Sequence, residues 1–241
     1  MESGMKRRGA RGLEWARKQE KGRIREIRSE LNRLFSGGEG ICEETLLEIG
    51  CGHGHWLGSY AEAHPGTFCA GIDLKTRRVR KAWEKAKKRE LKNIYFRKAE
   101  ATEFLRAMPK GRSWDKVCLL FPDPWPKARH HKNRLIREDF LDLLWERVGE
   151  GGKLYFRTDH EGYFEWAQSV LDVHKKWHIE PDASWIHEHR TYFQELMKDW
   201  QSLVAVRLPG LQVEQGDNKK LTRQDEREQG IDTGNKITRC N

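Results

Sequence analysis

The amino-acid sequence predicts an α/β fold, a mostly parallel sheet with helices on both faces. Three observations predict it. Short apolar runs alternate with stretches of about 10–15 residues in helical apolar spacing. One run, Lys116–Phe121 (KVCLLF), is near-continuously apolar, as a strand covered on both faces requires. The first run ends in a turn with glycine at alternate positions, Gly50, Gly52 and Gly54, which leads into the next helical stretch. A chain of 241 residues suffices for one domain or two small ones, at roughly 100–200 residues per domain.

Element by element, residues 1–12 contain Met5-Lys6-Arg7-Arg8-Gly9 and read as a flexible basic arm. Residues 13–35 read as a helix with Ile24, Ile27, Leu31, Leu34 and Phe35 on one stripe, broken by Ser36-Gly37-Gly38. Leu46–Ile49 is the first strand. Trp56, Leu57, Tyr60 and Ala61 mark a helix that stops at Pro65. Phe68–Ile72 is the second strand, closed by Asp73, and Val79, Ala82, Trp83 and Ala86 mark the helix after it. Ile94–Phe96 is the third strand, followed by a short helix with Phe104, Leu105 and Met108. Lys116–Phe121 is the fourth. Phe140, Leu141, Leu143, Leu144 and Val148 line a helix, Leu154–Phe156 a strand, and Tyr163, Trp166, Ala167, Val170 and Leu171 a further helix. Leu203–Leu208 is the last clear strand. Residues 210–241, with six basic and six acidic residues, read as a polar, flexible tail. The expected organisation is a basic arm and helix over 1–35, a body over 36–209 and that tail.

Lys and Arg total 46 against 37 Asp and Glu, a formal net charge of +9 at pH 7. The charge is segregated. Residues 1–35 hold eleven Lys/Arg against five acids, 39–73 six acids and no Lys or Arg, 75–92 ten basic residues against two acids, and 127–137 five against none. Such blocks point to oriented polyanion binding, the alternative being a solvated face. The cysteines, Cys42, Cys51, Cys69, Cys118 and Cys240, are odd in number and never in a CxxC pair, which argues against a disulfide framework. No apolar run reaches the length of a spanning helix and the N-terminus lacks a signal-peptide stretch, so a soluble, cytoplasmic protein without a membrane partner is expected.

The turn Glu48-Ile49-Gly50-Cys51-Gly52-His53-Gly54 lets backbone bend tightly and approach a ligand without Cβ interference. A dinucleotide turn would need GxGxxG; Gly50 and Gly52 fit its first two positions but residue 55 is His, which disfavours a nicotinamide cofactor. The Cys51, His53, His55 alternation suggests a metal, but the glycine geometry already explains the segment, and no metal is expected. Glu-x-Gly-x-Gly-x-Gly after a first strand resembles the S-adenosylmethionine site of the Rossmann-like methyltransferases. By that resemblance Asp73 stands where an acid takes the cofactor ribose hydroxyls, and Glu100-Ala101 where the adenine side is contacted.

Phe121-Pro122-Asp123-Pro124-Trp125-Pro126-Lys127 follows the fourth strand, and Ala128-Arg129-His130-His131-Lys132-Asn133-Arg134 comes next. The prolines fix φ and restrict the preceding residues, which holds Asp123 with little backbone freedom. This stretch closely resembles the signature of the bacterial-type tRNA guanine-N7 methyltransferases. The resemblance runs over roughly residues 43–207, through Thr158-Asp159 to Thr191-Tyr192-Phe193-Gln194. It implies a class I methyltransferase with a seven-stranded sheet over 36–209, acting on the variable-loop guanosine of tRNA. Glu48, Gly50, Gly52, Gly54, Asp73, Glu100, Ala101 and Asp123 are implied in cofactor binding, with Asp123 also at the catalytic position. Lys127, Asp159, Thr191, Tyr192, Phe193 and Gln194 match substrate-contacting positions, and Arg129, His130, His131, Lys132, Asn133 and Arg134 an RNA-contact stretch. The chain departs from the family where Thr-x-Phe-Glu-x-Arg reads Thr191-Tyr-Phe-Gln194-Glu195-Leu196, and the usual acids at Asp73 and Glu100 are exchanged.

Guanine N7 carries an exposed lone pair on the major-groove edge, so its methylation needs no prior deprotonation. Alignment and electrostatics should dominate, with Asp123 or Asp159 facing the developing cation. Trp125 reads equally as a stacking surface or a packed anchor. The resemblance implies no obligate protein partner and a monomer or homodimer. Two other functions remain open: a related methyltransferase on another RNA or a small aromatic substrate, and a non-catalytic RNA-binding protein retaining the fold.

Overall fold

The computed structural model describes residues 2–36, 44–189 and 199–210, with side chains from residue 12 onward. Cys42, Thr191, Tyr192, Phe193, Gln194, the Glu195-Leu196 departure and all but the first residue of the predicted tail therefore lie outside the described residues. Met1–Pro209 forms one unit. Its elements are α1 (Glu2–Ser36), β1 (Glu44–Ile49), α2 (His55–Ala63), β2 (Thr67–Asp73), α3 (Thr76–Lys88), β3 (Ile94–Lys98) and α4 (Ala101–Ala107). They continue with β4 (Trp114–Leu120), a 3-10 turn (Ala128–Asn133), α5 (Glu138–Arg147), β5 (Val148–Thr158), α6 (Glu161–Asp172), β6 (Trp177–Ile179) and β7 (Gln201–Arg207).

The sheet has seven strands in the order β3-β2-β1-β4-β5-β7-β6. The first five are parallel, and β7 runs antiparallel to both β5 and β6. The pleat sends neighbouring residues to opposite faces, so Leu46 and Leu47, both fully buried, belong to different cores. One core gathers α2 and α3 through Trp56, Leu57, Val79 and Ala82. The other gathers α1, α4, α5 and α6 through Leu31, Phe104, Phe140 and Tyr163.

Several local expectations change. The predicted basic arm at 1–12 is part of α1, which runs unbroken from Glu2. Leu34 and Trp83, predicted on apolar stripes, are each 41% exposed. The Trp83 indole donates to the Phe96 carbonyl at 2.8 Å, which an apolar stripe does not anticipate. Val148 opens β5 instead of closing α5, in extended backbone at ψ 141°. Strand β6, three residues long, has no apolar run of its own; pairing with β7 forms it. Among the described residues no helix is long and apolar enough to cross a membrane.

Candidate active site

Parallel register brings the predicted acids to one edge. Lys98 lies opposite Asp73, Ile72 opposite Ile49, Ile49 opposite Leu119, and Leu120 opposite Arg157. The turns leaving these ends therefore follow one another along the sheet as Glu100, Asp73, Gly50–Gly54, Asp123 and Asp159. The strand order reverses between β1 and β4, the crevice where open α/β sheets take ligands.

The glycine turn is left-handed three times, with φ of 84° at Gly50, 55° at Gly52 and 66° at Gly54. The amides of Gly50 and Cys51 both donate to the Ile72 carbonyl, at 2.8 and 2.9 Å, which pins the turn to the end of β2. A Cβ at Gly50 or Gly52 would meet open space. At Gly54 it would stand 2.7 Å from Phe96 Cζ and 2.9 Å from Ala82 Cβ. Gly54 therefore permits close packing of α2, whereas Gly50 and Gly52 leave backbone bare to a ligand.

Asp73 is 6% exposed. Its Oδ2 accepts from the Gly52 amide at 3.2 Å and from Arg78 at 3.4 Å, and its Oδ1 from the Lys75 amide at 2.8 Å. An ionised carboxylate has about four acceptor sites, so Asp73 holds the turn and keeps a site on Oδ1 for a further donor. Glu48, next to last in β1, is 4% exposed. Burial foremost, then Asp73, pushes the Glu48 carboxyl up to about 8, and among the described residues its Oε2 has no hydrogen-bond partner. Glu100 caps α4, accepting from the Glu103 amide at 3.0 Å and from the Thr102 hydroxyl; Ala101 is buried as the first helical residue.

Beside Glu100 lies a cavity of about 820 Å³ between α1, α3 and the end of β3. Ile27, Leu74, Val79, Trp83 and Ala99 contribute apolar wall. The α1 side is fastened by Arg23, whose Nε donates to Glu103 at 2.9 Å, and by Arg97 on Glu26 and Glu30 at 2.9 and 2.7 Å. Only the tertiary structure reveals that the N-terminal helix walls this cavity.

In the proline segment Phe121 and Trp125 have φ of 50° and 46°, a left-handed conformation that costs bulky residues roughly 1–3 kcal/mol each. Two bonds hold it: the Phe121 amide donates to the Arg157 carbonyl at 2.8 Å, and Arg134 Nε to the Pro124 carbonyl at 2.9 Å. Asp123, Lys127, Arg129, Lys132, Asn133 and Asp159 are exposed, and His130 and His131 half-buried. Trp125 is half-buried, edge-on to His130 at 5.8 Å. Arg134 corrects the expectation of an RNA contact. It is 2% exposed, its second bond goes to the Gly162 carbonyl at 3.1 Å, and it stacks on Tyr163 and Trp166 at 5.0 and 5.3 Å.

Arg157 is a residue that the sequence patterns do not single out. Within β5 and 4% exposed, it grips Glu188 with two nitrogens at 3.0 and 2.8 Å and lies 3.8 Å from the Trp185 ring. It thereby straps residues 180–189 over the sheet; a charge closing the apolar run Leu154–Phe156 is the one signal of it in the sequence. Among the described residues no group of His, Cys, Asp or Glu is arranged to hold a metal.

A family model described as "Putative methyltransferase" matches residues 43–205. A tRNA (guanine-N(7)-)-methyltransferase of Halorhodospira halophila is 37% identical over 144 residues, 60% of this chain and 61% of that protein. One of Corynebacterium diphtheriae is 35% identical, covering 54% of this chain and 50% of that protein, and one of Thermus thermophilus 36% identical, covering 57% and 43%. The chain thus spans about half the length of the curated relatives it matches. Among solved structures, the antibiotic-resistance methyltransferase Kmr has a TM-score of 0.51 at 19% identity, covering 76% of this chain and 93% of that one. The aminoglycoside resistance methyltransferase NpmB1 has 0.50 at 17%, covering 75% and 93%. Both share the class I methyltransferase fold described above.

Proposed function

The chain belongs to the methyltransferase family whose model spans residues 43–205, and from that premise we propose that it transfers the methyl group of S-adenosylmethionine to N7 of a variable-loop guanosine in cytoplasmic tRNA. The observation that carries the proposal is the sheet edge itself. A bare backbone turn at Gly50 and Gly52 stands between a committed acid, Asp73, and an exposed acid, Asp123. Likeness to the named tRNA methyltransferases supports the substrate.

The residues fit the cofactor. Open space above Gly50 and Gly52 receives it, Asp73 keeps that turn in shape through the Gly52 amide, Glu48 lies buried at the strand end before it, and the cavity beside Glu100 extends the site. Bound there, S-adenosylmethionine supplies an electrophilic methyl on sulfur. N7 needs no base, because its lone pair is free. The chain's task is to align that lone pair and to stabilise the positive charge the base acquires. Asp123, held on a rigid segment, supplies a fixed negative field, and Asp159, one strand along, is the second carboxylate on the edge. Lys127 and the exposed Arg129, Lys132 and Asn133 meet RNA, with Thr191–Gln194 as further substrate contacts.

Two measurements on the purified chain test this. Calorimetric titration should give saturable binding of S-adenosylhomocysteine and none of NAD, and nucleoside analysis of treated tRNA should reveal 7-methylguanosine. Preference for NAD, or methylation confined to another base or a small aromatic, would overturn the proposal. Binding of tRNA without cofactor would mark a non-catalytic RNA-binding protein.

A further inference from the structure

The glycine turn and the first residue of α2 each carry a histidine that the proposed cofactor site leaves unused. His53 lies between Gly52 and Gly54, and His55 opens α2; their rings are 6.3 Å apart. Lys85 of α3 reaches across to them, its ammonium 3.3 Å from the His53 carbonyl and hydrogen-bonded to the His55 Nε2. Lys81 lies one turn earlier, and Arg78 stands behind it on Asp73 at 3.4 Å. Among the described residues neither Lys81 nor Lys85 forms an ion pair with a carboxylate, and Glu84, the acid nearest in sequence, faces Arg80 at 3.6 Å.

Among the described residues Lys81 and Lys85 thus lack a carboxylate partner. Burial, then Lys85, Lys81 and Arg78, holds His53 below the usual histidine range. His55 is lowered by burial, then Lys85, and Lys85 by burial, then Lys81. Cations that repel one another at the rim of a ligand turn are relieved by an anion. The cluster also continues along the same face of α3, where Arg77 and Lys88 are exposed. From Arg77 to Lys88 that strip is about 16 Å long at 1.5 Å per residue, which suits an extended polyanion better than a small ion.

We infer that His53, His55, Lys81 and Lys85 form a phosphodiester site, which takes the RNA backbone beside the cofactor turn and continues onto α3. The inference rests on the tRNA reading above and adds to it where the strand crosses the protein. The turn and the first residue of α2 would then present backbone to the cofactor from Gly50 and Gly52 and imidazoles to the RNA from His53 and His55.

The test uses the full chain and a tRNA transcript. Binding is measured from about 50 to 300 mM salt for the wild type, Lys81→Ala and the double variant Lys81→Ala/Lys85→Ala. For each phosphate no longer neutralised, the slope of log K against log salt should become shallower by about 0.7–0.9. Affinity at low salt should fall several-fold, and S-adenosylhomocysteine affinity should stay within twofold, which reports an intact turn. His55→Gln, which keeps a neutral hydrogen-bonding group, should bind closer to wild type than His55→Ala. An unchanged slope in the double variant, with wild-type tRNA methylation present, overturns this site and leaves the methyltransferase reading intact. Loss of cofactor affinity alongside RNA affinity assigns the cluster to the turn's own stability and also overturns it. Failure of the wild type to bind tRNA overturns both readings.

Discussion

At the scale of single residues, three carboxylates and two glycines divide the work of the edge. Asp123 is exposed on a segment whose neighbours Phe121 and Trp125 are held left-handed, so among the described residues its charge is placed by the backbone. Asp123→Asn keeps the size and removes the charge. Methylation should fall about 10²–10³-fold, about 2.7–4 kcal/mol by analogy with losing one preorganised electrostatic contact, while the fold and tRNA binding persist; single-turnover methylation near the wild-type rate would transfer the role to Asp159. The glycines separate in the same way. Gly52→Ala meets open space, so its cost to folding is the left-handed strain alone, about 1–2 kcal/mol, but cofactor binding should be lost in calorimetry. Gly54→Ala adds collisions with Phe96 and Ala82 to the same strain and should show its main effect in thermal melting. Glu48 sets a pH dependence. Its carboxyl is held up near 8 in the folded chain against an ordinary 4.5, so between those values the folded form keeps a proton that the unfolded form releases. Its stabilising contribution is fully present below about 4.5 and is lost as pH rises toward 8, at up to about 1.4 kcal/mol per pH unit. Glu48→Gln should remove that decline in urea titrations at pH 5, 6.5 and 8 without ligand, and an identical slope in both proteins would refute it.

At the scale of elements, the proline segment depends on a helix distant in sequence. Arg134 spans from the Pro124 carbonyl to the Gly162 carbonyl at the start of α6 and lies on two aromatic rings. Arg134→Ala leaves two carbonyls without their donor and removes the stacking, which should cost about 2–3 kcal/mol of stability. Because the segment it anchors bears Asp123, turnover should drop more than RNA affinity, the opposite of the pattern for Lys127→Ala. Equal loss of affinity in both variants would return Arg134 to the RNA-contact stretch. The helix α1 has a comparable tie. Ile27 and Leu31 are buried in the same core as Phe104 and Leu105 of α4, and Arg23 and Glu103 join the two helices beside the cavity.

At the scale of the whole molecule, the segregated charge along α3 and over Lys127–Asn133 should make the proposed tRNA binding strongly salt-dependent. The expected decrease is about 0.7–0.9 log units per tenfold salt for each phosphate neutralised; salt-independent binding would point to a small substrate. The sequence alone was sufficient for the parallel core, the glycine turn and the edge acids, because each rests on local physics. Apolar periodicity specifies which face a residue buries, glycine specifies where backbone turns left-handed, and a strand that ends in an acid delivers it to the edge wherever the strand lies. Thr191–Gln194 lies outside the described residues and stays an expectation of resemblance. Tertiary structure alone decided what depends on partners far along the chain. Strand β6 exists through β7, α1 becomes a cavity wall through α4 and β3, and Arg134, expected to contact RNA, and Arg157, which the sequence does not single out, are buried because carbonyls, aromatic rings and Glu188 converge on them from other elements. A charge pattern specifies which residues are cationic; only the folded neighbours determine whether a cation meets solvent or the interior, since burial is tolerable for it only where those partners replace water.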